Sequence, residues 1–328
     1  MKHNRGGIVF GSALSVIFFA LAALLLMNRQ YILDQWNVWQ YKPTAAIANI
    51  SQRAGLSDNG RFYLYTSHAE VDNAAEFNSK CARLEARNAI LGCYSNRDIY
   101  IYDVNNSELD GVEEVTAAHE MLHAIWDRMG DSDKKRIGAM LEAEYKKIAT
   151  PALDERLAYY GRNESGERQN ELHSILGTEV ITLDSGLEDY YSKYFTDRHQ
   201  VTTLHAKYEQ VFTQLSNESE ALYNQLVASG KDIETLNTLY NQEVASLRND
   251  IQSFNNRANN GGFSSAYQFN SERAALVART KVLDAKGNDL NSKIATYNDN
   301  YSKYQALTVR GQTLNRSIDS TVAPAPSL

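Results

Sequence analysis

The chain has 328 residues, of which 43% are hydrophobic, and a formal net charge of −7. This length and hydrophobic content are sufficient for two domains with at least one sizeable core, and they exclude a chain that is disordered throughout. The acidic balance argues against a nucleic-acid partner, because domains that bind nucleic acid concentrate Lys and Arg on one face.

The N-terminus is the strongest compositional feature. Residues 7–27 form an apolar run of 21 residues without a charge. At about 1.5 Å per helical residue, such a run crosses a hydrocarbon core of roughly 30 Å. We therefore predict an uncleaved transmembrane anchor over residues 1–30; the alternative is a cleaved signal peptide, whose apolar region is only about 7–15 residues long. Lys2 and Arg5 precede the run and Arg29 follows it, a small bias that predicts an extracytoplasmic C-terminal part.

The segment after the anchor is rich in aromatic residues. Its rings are placed where side chains at a membrane surface would lie, at Tyr31, Trp36, Trp39 and Tyr41. Further on, β-branched and aromatic residues predict strands over residues 61–66 and 98–104, with a helical stretch over residues 73–87 between them.

Cys81 and Cys93 are the only cysteines of the chain. Paired cysteines are typical of oxidising compartments, so we predict that these two form a disulfide. Closing a loop of this size stabilises the fold by roughly 3 kcal/mol in the chain-entropy account. The alternative is two unrelated buried thiols.

A helical pattern over residues 111–129 contains the sequence His119-Glu120-Met121-Leu122-His123. Two histidines four residues apart project from one face of a helix, where both can bind one Zn²⁺, and the glutamate between them lies beside a zinc-bound water. With seven histidines in the chain, a chance HExxH arises on the order of once in a hundred such chains. The alternative is a helix with two unpaired histidines. We predict one zinc ion per chain, with Glu120 as the general base.

A catalytic zinc has a third protein ligand. Residues 127–130 do not continue the motif with the third histidine of the metzincin pattern. Downstream, Asn170-Glu171-Leu172-His173-Ser174 matches NExxS and Glu171 follows His123 by 48 residues. The chain thus resembles the gluzincin class of metallopeptidases, of which thermolysin is a member, over about 60 residues. It departs from the family pattern at Ile175, where the family has an aspartate.

The resemblance implies that Glu171 is the third zinc ligand. Glu179 is the alternative metal ligand, since it lies two turns further along the same predicted helix. Gluzincins stabilise the oxyanion with a tyrosine or histidine, so the candidates for an oxyanion or pocket residue are His173, Tyr160, Tyr190, Tyr191 and Tyr194. The strand over residues 98–104 resembles the edge strand that pairs with an extended substrate.

The C-terminal part has a different pattern. Beyond Arg198, apolar residues recur at steps of three and four, and from Leu276 to Tyr304 one recurs every seven residues. A turn sequence at residues 259–262 separates the two stretches. We predict an antiparallel coiled-coil hairpin over residues 198–320, through which the chain could self-associate or bind a partner, and a disordered tail over residues 321–328.

The sequence therefore predicts an α+β, mainly helical chain, with a small zincin-like metallopeptidase domain over residues 31–197. The predicted activity is zinc-dependent hydrolysis of peptide bonds in a peptide or protein substrate, outside the cytoplasmic membrane, by a single-pass membrane protein. The alternative is a non-catalytic envelope protein that binds or scaffolds through its coiled coil and has a vestigial or structural zinc site.

Overall fold

The computed structural model describes residues 17–81, 90–163 and 167–321, without the side chains of residues 159–163. The described part is mainly helical, with a three-stranded sheet and two long C-terminal helices. This architecture confirms the predicted class at that level. The predicted tail beyond Thr321 lies outside the described residues.

Two helices follow each other at the N-terminus, α1 (Ile17–Met27) and α2 (Arg29–Gln40), with a bend of 65° between them. Among the described residues, no single helix has the length and apolar composition to cross a membrane, although the bent pair meets both criteria jointly. The predicted span begins at Gly7, so its first ten residues, 7–16, lie outside the described part.

The next elements are α3 (Ala45–Arg53), α4 (Asp58–Thr66), β1 (Glu70–Asp72) and α5 (Ala74–Lys80). The strand predicted over residues 61–66 is wrong, because these residues form most of α4. Ser57 caps this helix by accepting a hydrogen bond from the Gly60 amide, and Leu64 is fully buried. The N-cap and the buried face thus outweigh the strand preference of the aromatic residues.

The sheet also contains β2 (Gly92–Ser95) and β3 (Asp98–Tyr102), in the order β1-β3-β2. β3 confirms the strand predicted over residues 98–104. It pairs in parallel with β1 and antiparallel with β2, so its predicted role as an edge strand is wrong: β3 is central and β2 lies at an edge. The predicted disulfide is confirmed, and it joins Cys81, which follows α5, to Cys93 in β2.

Five helices complete the core, α6 (Val112–Arg128), α7 (Asp131–Ile148), α8 (Pro151–Asn163), α9 (Glu167–Thr178) and α10 (Ser185–Tyr191). α6 begins after Gly111, which has a φ of 103° that favours glycine. Most of α6 is buried, including Met121 and Leu122 at 0% exposure. The helix that carries the HExxH sequence is therefore the centre of the core.

The last two helices are α11 (Arg198–Asn259) and α12 (Ala266–Ile318). The chain divides into two compact units, Met1–Val211 with Thr313–Leu328, and Phe212–Gln312. Within the second unit the two helices run antiparallel, since Glu243 pairs with Lys286 and Asp250 pairs with Arg279. Leucines of the predicted heptads, Leu283 and Leu290, are buried between them.

Candidate metal centre

His119 and His123 lie one turn apart on α6, and their ring centroids are 4.8 Å from each other. Residues on the opposite face of the helix, such as Ala117 and Met121, are fully buried. The two imidazole side chains are 12% and 16% exposed. The amphipathic pattern of α6 therefore presents both imidazoles at the boundary between core and solvent, where a metal ion and a substrate can reach them.

Glu171 extends from α9 to the same point. Its Oε2 atom lies 3.6 Å from Nε2 of His119 and 3.5 Å from Nε2 of His123, and its side chain is 2% exposed. α9 approaches α6 closely at Gly177, where a Cβ atom would lie 2.3 Å from Cδ1 of Leu122. This close packing of the two helices brings the predicted third ligand to the histidines.

The three side chains have the spacing of a metal site. Their ligand atoms all lie within 4.8 Å of one another. Ligands bound to Zn²⁺ at about 2.0–2.2 Å in a tetrahedron are separated by roughly 3.3–3.6 Å, which matches the two distances to Glu171. Two histidines, one glutamate and an open fourth position form one of the ligand sets of catalytic zinc. The three residues therefore fit a metal ion.

Glu179, the alternative ligand, lies elsewhere. Its Oε2 atom accepts a hydrogen bond from Nη1 of Arg156 at 2.9 Å and lies 3.6 Å from Nε2 of His205. Glu179 does not belong to the group of described residues that could hold a metal ion. The geometry favours Glu171 over Glu179 as the third ligand.

The protonation of Glu171 and His123 depends on how closely the two side chains approach each other. Burial alone would raise the pKa of Glu171, but its interactions with His119 and His123 hold this pKa well below its usual value. Burial alone would lower the pKa of His123, but its hydrogen bond to Glu171 and the charge of Glu120 raise it to about 9. The carboxylate of Glu171 is therefore ionised, as a metal ligand must be.

Glu120 is in a different environment, although it lies between the two histidines in sequence. The residue is 7% exposed, and burial raises its pKa. It lies against β2, because a Cβ atom at Gly92 would be 2.9 Å from Oε1 of Glu120 and 2.5 Å from Cγ2 of Thr116. Burial thus dominates the pKa of Glu120, whereas the two histidines dominate the pKa of Glu171, and the two values are displaced in opposite directions.

Asn170 orients one of the histidines. Its Oδ1 atom accepts a hydrogen bond from Nδ1 of His123 at 2.9 Å, which leaves Nε2 of His123 directed at Glu171. Outer partners of this kind fix the tautomer of metal-binding histidines. Ile175, at the position where the gluzincin pattern has an aspartate, is 2% exposed and belongs to the core. The sequence contained Asn170 in its motif but gave no signal for this role.

Arg156 and His205 were not predicted as site residues. Arg156 bridges two carboxylates, since Nη2 donates to Oε1 of Glu171 at 3.3 Å while Nη1 donates to Glu179. His205 lies on α11, and burial lowers its pKa. Neither residue belongs to a recognisable motif, because α8 and α11 come together with α9 only in the folded chain.

The oxyanion candidates lie in the core where their side chains are described. His173 is fully buried, its Nε2 atom lies 2.8 Å from the Tyr190 hydroxyl, and its ring stacks on Tyr191. Burial lowers the pKa of His173 to about 3. Tyr190, Tyr191 and Tyr194 are at most 8% exposed. The geometry does not support an oxyanion or pocket role for His173, and the side chain of Tyr160 lies outside the described part.

Comparisons of this chain with protein-family models, with curated proteins and with solved structures found no match.

Proposed function

We propose that this chain is a membrane-anchored zinc metallopeptidase with a zincin-like catalytic domain, which hydrolyses peptide bonds of a peptide or protein substrate outside the cytoplasmic membrane. The observation that carries the proposal is the convergence of His119, His123 and Glu171 beside an intact Glu120. A purely structural metal site has no need of a base at that position.

Zinc suits these ligands, because two imidazoles, one carboxylate and an open fourth position form one of the ligand sets of catalytic zinc. When bound, zinc lowers the pKa of a water molecule and polarises a carbonyl group. The protein's part is to hold the ligands. Glu171 accepts a hydrogen bond from Arg156, and His123 is hydrogen-bonded to Asn170. Both ligand side chains are therefore held in place before a metal binds.

Glu120 acts as the general base in this proposal. Its carboxylate takes a proton from the attacking water and then delivers this proton to the nitrogen of the leaving amine. Burial raises the pKa of Glu120, which makes its carboxylate a stronger base. Burial of the carboxylate, at 7% exposure, also keeps bulk water from competing for the proton.

The substrate would bind along β2. β2 pairs with β3 on one side, and none of the described strands pairs with its other side. An extended peptide can add to such an edge through main-chain hydrogen bonds. Because Gly92 at the start of β2 contacts Glu120, a peptide on this edge would have its backbone beside the base and the metal ligands.

The proposed location is supported by two features of the chain. The Cys81–Cys93 disulfide is typical of proteins exposed to an oxidising compartment. The apolar run at residues 7–27 has the composition of an anchor. On these grounds we propose that the part of the chain after the anchor, from residue 31 onwards, lies outside the cytoplasmic membrane.

The activity can be tested on the full-length protein in detergent, with fluorescein-labelled casein as substrate. We expect the native protein to cleave the casein into fluorescent peptides, and we expect a zinc chelator to stop this cleavage. Glu120→Gln should lose at least about 100-fold in rate, the lower range of acid-base catalysis. Glu155→Gln is the matched control, because Glu155 is an exposed carboxylate on α8. Full activity of Glu120→Gln would refute the assigned base.

A further inference from the structure

α2 exposes large apolar side chains on one face. Ile32 and Leu33 are 43% and 42% exposed, and Trp36 and Trp39 are 55% and 74% exposed. The four side chains line one continuous surface, here called the outer face, on which the two indole rings lie 5.1 Å apart. A contiguous exposed apolar surface marks an interaction site.

The opposite face of α2 is built into the first compact unit. Asp34, only 3% exposed, accepts hydrogen bonds from Nε of Arg128 at 3.2 and 3.1 Å. The Thr66 hydroxyl lies 3.1 Å from both Oδ1 and the main-chain oxygen of Asp34. These contacts fix the rotation of α2 about its axis. The outer face is therefore directed away from the protein by the fold and is not the result of a loosely attached helix.

The chemistry of the outer face matches a lipid surface. Tryptophan is enriched where a membrane meets water, because its ring is apolar and its N–H remains hydrated. The single acidic residue of α2, Asp34, lies on the buried face, and basic residues stand at both ends of the segment, Arg29 and Lys42. Such a helix lies in the plane of a membrane surface, with its apolar face roughly 5–10 Å deep.

We propose that the outer face of α2 lies in the headgroup region of the bilayer, as a second membrane contact beyond the anchor. The position of α2 directly after α1, whose side chains from Ile17 to Met27 are largely exposed and apolar, supports this occupant. The bend of 65° between α1 and α2 turns the chain from a spanning direction towards the plane of the surface. The inference rests on the proposed anchor but not on peptidase activity.

This contact has a consequence for the metal centre. Arg128, the partner of Asp34, is the last residue of α6, the helix that carries His119 and His123. The arginine and the aspartate are each 5% exposed at the side chain. This buried ion pair joins the proposed membrane-lying helix to the helix of the candidate metal centre, so the contact would orient that centre relative to the bilayer.

Not every aromatic residue of this segment takes part. The Tyr41 hydroxyl donates to the main-chain oxygen of Ala69 at 2.5 Å, and its ring packs against Tyr65. Tyr41 therefore faces the protein and not the proposed membrane surface, contrary to its predicted interfacial position. Trp36 and Trp39 carry the proposed contact.

The test uses tryptophan fluorescence of the full-length protein in phosphatidylcholine vesicles. The chain has three tryptophans, and the third, Trp126, is only 6% exposed within the core. The variant Trp126→Phe reports on the outer face alone. The double variant Trp36→Phe/Trp39→Phe reports on the core alone and is the matched control. Each is measured with lipids brominated near the headgroup or near the bilayer centre, and with aqueous iodide.

We expect bromine near the headgroup to remove at least about half of the Trp126→Phe emission, because rings at a depth of roughly 5–10 Å lie within its reach. Bromine at the bilayer centre and iodide should quench this variant less, and the double variant should respond little to any of them. Quenching by iodide alone, in protein that floats with the vesicles, would overturn the inference and leave the anchor intact. Protection from all three quenchers, with cross-linking between chains at α2, would assign the outer face to a second copy. Protein that does not float would refute both the contact and the anchor.

Discussion

Arg156 and Glu171 share a hydrogen bond from Nη2 to Oε1, and this bond leaves the second carboxylate oxygen of Glu171 facing the two histidines. Arg156 thus orients one oxygen of the carboxylate, and in the proposed site the other oxygen binds the metal. Arg156 is itself bonded to Glu179. Glu179 therefore affects the site only indirectly, by holding Arg156 in position. Substitutions of Glu171 and Glu179 should differ in their effect on metal affinity.

Replacing Glu171 should weaken zinc binding far more than replacing Glu179. Glu179→Gln removes a charge that holds Arg156. Substitutions of residues that support metal ligands typically cost about 10–100-fold in metal affinity. Glu171→Gln removes a direct ligand and should exceed that range. Competition with a chromogenic zinc chelator measures both affinities. The reverse order would exchange the roles of the two residues.

Asn170→Ala should weaken zinc binding, because it removes the acceptor that holds Nδ1 of His123. The expected loss is about 10-fold or more. Asn170→Asp restores an acceptor and should recover part of the affinity, although Glu167 nearby then faces a second negative charge. Equal affinity of Asn170→Ala and the native protein would show that His123 needs no outer partner.

Gly92→Ala should reduce the rate of hydrolysis while zinc stays bound. A Cβ atom there would lie 2.5 Å from Thr116 Cγ2 and 2.9 Å from Oε1 of Glu120, so the base or β2 must shift. The matched control is Gly130→Ala, since Gly130 has a φ of −70° and none of the described atoms lies within 4 Å of its Cβ position. The rate constant and the zinc content are measured for both. A rate of Gly92→Ala equal to that of the native protein would show that the position of β2 does not affect the base.

Removing the disulfide should lower thermal stability. The Cys81–Cys93 bond spans 12 residues, and its loss is expected to cost roughly 3 kcal/mol. For a unit of this size, that loss shifts the midpoint of thermal unfolding by roughly 6–12 °C. The measurement compares native protein with Cys81→Ala/Cys93→Ala by circular dichroism. The rate of hydrolysis should fall as well, because Cys93 lies in β2 next to Gly92. An unchanged midpoint of thermal unfolding would contradict the stabilising role of the disulfide.

The residues of the candidate metal centre could be predicted because their signal is local in sequence. HExxH on a helix fixes two ligands and a base by spacing alone, and the NExxS sequence indicated Glu171, which the fold brings to the histidines. The surrounding contacts could not be predicted in this way. Arg156 and His205 reach the site from α8 and α11, and a single sequence has no period or motif that links these helices to α9.

Strands were the least predictable part of the fold. Residues 61–66 have the composition of a strand, but the cap at Ser57 and the buried Leu64 make them a helix. β1 and β2, of three and four residues, are too short to produce an alternating pattern. The edge position therefore could not be assigned to β2 before the pairing with β3 was known.

The zinc content of the purified full-length protein tests the central proposal most directly. Native protein is measured by mass spectrometry of its metals, beside His123→Ala, Glu171→Ala and Glu120→Gln. The proposal predicts one zinc ion per chain in the native protein and in Glu120→Gln, and loss of zinc in the two ligand variants. Native protein that binds no zinc, even after incubation with the metal, would contradict the proposal and favour a non-catalytic coiled-coil protein.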